Sequence, residues 1–171
     1  MDELQQKIRA IPDFPEPGIV FRDITPLLRD AAALKRAAQA MAEPFRGQEV
    51  SAVVGMEARG FIFGALVAYE MGCGFVPLRK PGKLPYETRS RDYALEYGSN
   101  ALEIHIDALG GDDRVLLVDD LLATGGTAAA SAALVHELGA QLTGCAFLIE
   151  LAGLGGRDCL AGHAVHSVMQ F

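Results

Sequence analysis

Cysteine is scarce in this chain. The three present, Cys73, Cys145 and Cys159, are odd in number and show no C-x-x-C spacing, so neither a disulfide framework nor a zinc site is indicated. Reduced, buried thiols in a cytoplasmic protein are the simplest reading. His105, His136, His163 and His166 also lack metal-ligand spacing and read as structural or solvent-facing. No apolar run approaches the roughly 18 residues of a membrane span, and the polar opening MDELQQKIRAI carries no signal-peptide core. No internal repeat is evident. Positive charge is in deficit: 15 Lys and Arg face 22 Asp and Glu, for a formal net charge of −7. The resulting pI near 5.0 argues against a general nucleic-acid binder.

Apolar mass is what the chain has instead. Half of its 171 residues are hydrophobic, which excludes disorder and suffices for one domain, residues 1–171, with a real core. The organising stretch is Arg114 to Thr127, RVLLVDDLLATGGT. Val115-Leu116-Leu117-Val118 shows no alternation and reads as a strand buried on both faces, as in a parallel sheet. Asp119 and Asp120 follow, then Leu121-Leu122 and the loop Ala123-Thr124-Gly125-Gly126-Thr127. An alanine-rich helix over Ala128 to Leu138 comes next, closed by Gly139.

That order suits a phosphate. Gly125 and Gly126 let the backbone turn sharply and approach a ligand. Thr124 and Thr127 offer hydroxyls and N-caps, and the helix start presents unpaired N–H groups to an anion. The acidic pair would repel phosphate, so it must hold something else: sugar hydroxyls, or Mg²⁺ bridging to phosphate. A P-loop is excluded because no Gly-Lys-Ser/Thr follows, and a dinucleotide site because no G-x-G-x-x-G does. The plainer alternative is an ordinary strand–turn–helix unit with a solvated acidic pair.

Other segments fit around this one. Asp2 to Ile11 reads as a short amphipathic helix with Leu4, Ile8 and Ile11 on one face, stopped by Pro12. Four prolines between Pro12 and Pro26 predict an irregular but packed loop, since Phe14, Ile19, Val20, Phe21 and Ile24 would not suit a linker. It is either a structural cover over the core or a hood in which Phe21 stacks on a flat ligand. A helix is predicted over Ala31 to Phe45, and Val50 to Gly55 is a core strand. Gly55-Met56-Glu57-Ala58-Arg59-Gly60 then leads into a helix over Phe61 to Met71. Arg59 at that helix start opposes the dipole unless it binds a pyrophosphate or pairs with Glu57. Gly74 to Lys80 is a strand ending in basic residues; Arg79, Lys80 and Lys83 concentrate positive charge. Tyr86 to Asp92 looks charged and mobile. Tyr93–Gly98 and Ala101–Ile106 alternate like a hairpin turning at Gly98-Ser99-Asn100, so residues 81–98 are expected to form a flexible lid. On composition alone Glu96 is an outward strand carboxylate. Strands over Leu142–Leu151 and Ala164–Phe171 complete an α/β fold, a central mostly parallel sheet of about five strands flanked by helices.

The stretch VDDLLATGGT resembles the phosphoribosyl-pyrophosphate (PRPP) signature of type I phosphoribosyltransferases. PDFPEPGIVFRDITP, YALEYG and FLIEL through Gly156-Arg157 resemble the adenine phosphoribosyltransferases, and the likeness spans nearly the whole chain. The resemblance implies a hood over residues 1–30, with Phe21 stacking on adenine, Val20 and Arg22 reading its edge through the backbone, and Leu151 on the opposite face. It implies Glu96 near the base in proton handling and Tyr97 beside the reacting centre. Arg59, Lys83 and Arg79 would reach pyrophosphate, Arg79 across a homodimer interface. Glu57-Ala58 would be the place of a non-proline cis peptide. The implied reaction is adenine plus PRPP giving AMP and pyrophosphate in purine salvage. Mg²⁺ would be held mainly through PRPP rather than by protein ligands, with Asp119 and Asp120 on the ribose. A phosphoribosyltransferase for another base, or a non-enzymatic PRPP sensor, is the alternative; a panel of bases separates the first, and absence of pyrophosphate release the second.

Overall fold

The computed structural model describes residues 2–94 and 99–171. In chain order the elements are α1 (Asp2–Gln5), β1 (Arg9–Pro12), β2 (Val20–Asp23), α2 (Thr25–Arg29), α3 (Ala31–Ala42), β3 (Ala52–Met56), α4 (Gly60–Met71), β4 (Gly74–Leu78), β5 (Thr88–Ala94), β6 (Ser99–His105), β7 (Arg114–Leu122), α5 (Gly126–Glu137), β8 (Gln141–Glu150) and β9 (Val165–Gln170).

Five strands form one sheet in the order β4-β3-β7-β8-β9, every neighbouring pair parallel. Val53, Val54, Leu116, Leu117 and Val118 have no solvent exposure, as continuous apolar strands covered on both faces should. Beneath one face lie Met41 of α3 with Phe63 and Val67 of α4. Leu134 and Val135 of α5 cover the other, with Leu102 and Ile104 of β6. Strand order reverses between β3 and β7: the chain leaves β3 outward to β4, and leaves β7 the other way to β8 and β9. A crevice opens at the C-terminal ends of strands where such a reversal occurs.

Several expectations are corrected. α1 ends at Gln5, and Arg9–Pro12 pairs antiparallel with Val20–Asp23. The prolines permit this because they avoid the ladder's interior: Pro12 ends β1, while Pro15 and Pro17 lie in the turn. The Asp13 carboxylate closes that turn by accepting the Gly18 N–H at 2.8 Å. Phe14-Pro15 is cis, and Glu57-Ala58 is cis where the resemblance placed such a bond. Thr88–Asp92, read as mobile, is strand: β5 pairs with β6 from Thr88↔His105 to Ala94↔Ser99. Ser99 and Asn100 thus belong to a strand rather than to the turn. β7 runs on through Leu122, so Asp119 and Asp120 lie within it. Cys145 is buried, but Cys159 is exposed. Neither threonine caps α5: Gly125 does, at φ 85° and without a side-chain bond.

Candidate active site

At the strand reversal, the ends of β3 and β7 and the start of α5 enclose a cavity of about 330 Å³. Among its lining are Arg59, Asp119, Asp120 and the whole loop Ala123–Thr127, all named from sequence. Lys80, Tyr93 and Asn100 also line it. Tyr93 and Asn100 are register partners in the hairpin, a cross-strand relation that no local spacing reveals. Lys80 carried a visible signal, a basic residue just past a parallel strand.

Asp120 is buried and Asp119 half-buried. Burial raises the Asp119 carboxyl well above its ordinary range, and the adjacent Asp120 charge pushes it the same way. Asp120 is also raised by burial, against the opposing pull of Arg59. Arg59 Nε lies 3.0 Å from Asp120 Oδ2. It therefore pairs with the aspartate, and Glu57 takes Arg79 instead, at 3.3 Å. The Lys80 N–H donates to Glu57 at 3.0 Å and, with Arg79, holds that carboxyl below its usual range. Gly60 makes room for the acidic pair, since a Cβ there would fall 2.7 Å from Asp119 Oδ1.

The arginine also joins the cavity to the hood. Its guanidinium carbon sits 5.4 Å from the centroid of the Phe21 ring, which meets Phe14 edge-on at 5.3 Å. Arg22 stacks on Phe171 at 4.2 Å. Val20 is exposed and Leu151 half-buried; with Phe21 and Arg22 they lie outside the cavity lining. Arg79 donates from Nη1 to the Lys83 carbonyl at 3.1 Å, and its backbone bridges Glu103 of β6, which ties the basic segment to the hairpin. Glu96 and Tyr97 lie outside the described residues. The described residues contain no cluster of three or more metal-ligating side chains.

Chemically, a glycine loop and helix start, which can present N–H groups to an anion, adjoin two carboxylates raised by burial and the aromatic pair Phe14 and Phe21. Comparisons with known proteins give the family. The phosphoribosyl transferase domain family matches residues 24–158. The adenine phosphoribosyltransferase of Methylococcus capsulatus is 64% identical over 171 residues, covering all of both chains. The crystal structure of the Rhodothermus marinus adenine phosphoribosyltransferase superposes with a TM-score of 0.95 at 54% identity, over 99% of this chain and 97% of that one. The Saccharomyces cerevisiae enzyme, complexed with adenine and an imino-altritol bisphosphate, matches with a TM-score of 0.92 at 38% identity, over 98% and 97%.

Proposed function

The chain belongs to the phosphoribosyl transferase domain family, and from that premise we infer how its own residues carry the reaction of its adenine-specific relatives. That reaction transfers the 5-phosphoribosyl group of PRPP to adenine, giving AMP and pyrophosphate, a pentosyl transfer in purine salvage. One observation carries the assignment of roles: a left-handed glycine bend starts α5 directly beyond the acidic pair at the sheet's reversal point.

The backbone N–H groups of Ala123 to Thr127 and the helix start hold the 5′-phosphate, with the Thr124 and Thr127 hydroxyls beside it. Asp119 and Asp120 accept hydrogen bonds from the ribose 2′- and 3′-hydroxyls. Their negative charge also stabilises the positive charge that develops at C1 as the pyrophosphate bond breaks. Arg59 shifts from Asp120 and Phe21 toward the departing pyrophosphate, where Lys80, Lys83 and Arg79 add charge. Phe21 stacks on adenine opposite Leu151, while Val20 and Arg22 read its edge through backbone groups. Glu96 takes up the proton that adenine loses, and Tyr97 flanks the reacting centre. The lid, residues 81–98, excludes water that would otherwise capture the sugar.

Mg²⁺ would enter mainly on PRPP: the hard carboxylate oxygens of Glu57, Asp119 and Asp120 line the same cavity and suit such an ion, while the acidic pair is kept for the ribose. When bound, the ion neutralises charge on pyrophosphate. The working unit is a homodimer in the cytoplasm, with residues 1–30 as hood of a single domain. β4 is an unpaired sheet edge, and α4 leaves Ile62 38% and Tyr69 85% exposed, a face that a second copy would cover.

Pyrophosphate release from PRPP with a panel of bases tests the reading. Adenine should support turnover at least ~100-fold better than hypoxanthine, guanine or xanthine, because backbone edge readers reject a base that reverses donor and acceptor. Equal turnover of all bases, or none with adenine, would remove the adenine assignment.

A further inference from the structure

Beyond the residues that face the cavity, a short 3-10 segment, Gly156–Leu160, lies directly behind the phosphate loop. The fit leaves no space. A Cβ on Gly125 would fall 2.4 Å from the Gly156 carbonyl oxygen and 2.8 Å from Cys159 Cβ. One on Gly156 would fall 2.2 Å from the Ala123 carbonyl oxygen. Cys159 donates its S–H to the Thr124 carbonyl at 3.3 Å, so three successive loop residues rest on the segment. Leu160 anchors it in the core beside Leu122, Ala128 and Ala132.

A single side chain ties this segment to the sheet. Arg157 forks onto the buried Glu150, Nε to Oε1 at 3.1 Å and Nη2 to Oε2 at 2.5 Å. Its Nη1 donates to the Val165 carbonyl at 2.8 Å, and Gln170 Nε2 also donates to Glu150 Oε2 at 3.2 Å. Glu150 ends β8 in register with Leu122, the residue before the phosphate loop. The Arg157 fork therefore spans from the root of that loop to its back wall.

We propose that Arg157 is a positioning residue for the 5′-phosphate: held by Glu150, it presses Gly156–Cys159 against Ala123–Gly125 and so keeps the loop's N–H groups aimed at the anion. The inference rests on the reading of Ala123–Thr127 as the phosphate cradle. Without the fork, the wall recedes and the N–H groups lose their common aim; a Lys holds one carboxylate oxygen but not the fork.

Steady-state kinetics and AMP calorimetry on wild type, Arg157→Ala, Arg157→Lys and Gly156→Ala test it, with folding checked by thermal melts. Arg157→Ala should raise the KM for PRPP and the Kd for AMP about tenfold and the KM for adenine clearly less, since the wall packs on Ala123–Gly125 and reaches the base only through Leu151 beside Glu150. Arg157→Lys should fall between Ala and wild type. Gly156→Ala, whose backbone needs no special φ, should repeat the PRPP effect through its clash with Ala123. Parallel rises in both KM values, an unchanged KM for PRPP in a folded variant, or unfolding of both Arg157→Ala and Gly156→Ala would overturn the positioning role. Failure of the wild type to bind AMP or turn over PRPP would instead strike the underlying functional reading.

Discussion

Asp119 and Asp120 are held where a carboxylate is poorly hydrated, and that decides how they respond to change. A carboxyl with a raised folded pKa stabilises the fold below the ordinary carboxylate range and loses that contribution as pH rises through the raised value. Burial therefore opposes ionisation of the pair, a cost that the proposed contacts to sugar hydroxyls would offset. Asp119→Asn should raise Tm by roughly 2–4 °C in thermal melts. Combined with Asp120→Asn it should lower kcat/KM at least ~100-fold. Near-normal turnover of the double variant would contradict the sugar assignment. Phe21 is the other informative residue. Its ring contacts Phe14 and Arg59 in the free protein. If it stacks on the base, Phe21→Ala should raise the adenine KM about tenfold, in line with ~1–3 kcal/mol per stacked base, and the PRPP KM far less. Equal changes in both would make it a packing residue only.

Among the elements, the parallel strands and the loop after β7 were legible because their signals are local: an unbroken apolar run, two acids, two glycines. The hood strands were not, because Pro12, Pro15 and Pro17 read as breakers, and only the register of β1 on β2 shows that they spare the ladder. The hairpin was half legible. Its pairing begins earlier than the sequence suggests, at Thr88, because residues 89–92 are all exposed and leave no alternation to read. The wall behind the phosphate loop left no local signal at all: residues 123–125 meet 156–159 only through the fold. Its anchor has a pH signature. The Arg157 hydrogen bonds depress the Glu150 carboxyl to about 2 from 4.5. This group's contribution is complete above pH 4.5 and is lost as pH falls toward 2; the shift corresponds to ~2–3 kcal/mol after allowance for the half-exposed Arg157. Glu150→Gln should therefore be less stable at pH 7 by about that amount, with a shallower decline between pH 4.5 and 2 in urea titrations. A decline as steep as wild type would separate Glu150 from the acid response.

For the whole molecule, the puzzle is an acidic protein with a polyanionic substrate. The fold answers it by bringing Arg59, Lys80 and a helix start to the C-terminal ends of β3 and β7, with Arg79 alongside; Asp120 and Glu57 hold the two arginines there. The proposed dimer would use the α4 face that carries Ile62 and Tyr69. Tyr69→Asp with Ile62→Asp should shift the species seen by light scattering from dimer to monomer; an unchanged mass would move the interface elsewhere. The claim on which all of this rests is the division of labour at the end of β7, and a crystal structure with AMP bound tests it most directly. The account predicts the 5′-phosphate against the N–H groups of Ala123 to Thr127, the ribose hydroxyls on Asp119 and Asp120, and the base beneath Phe21. A nucleotide seated elsewhere, or with its phosphate away from that bend, would contradict it.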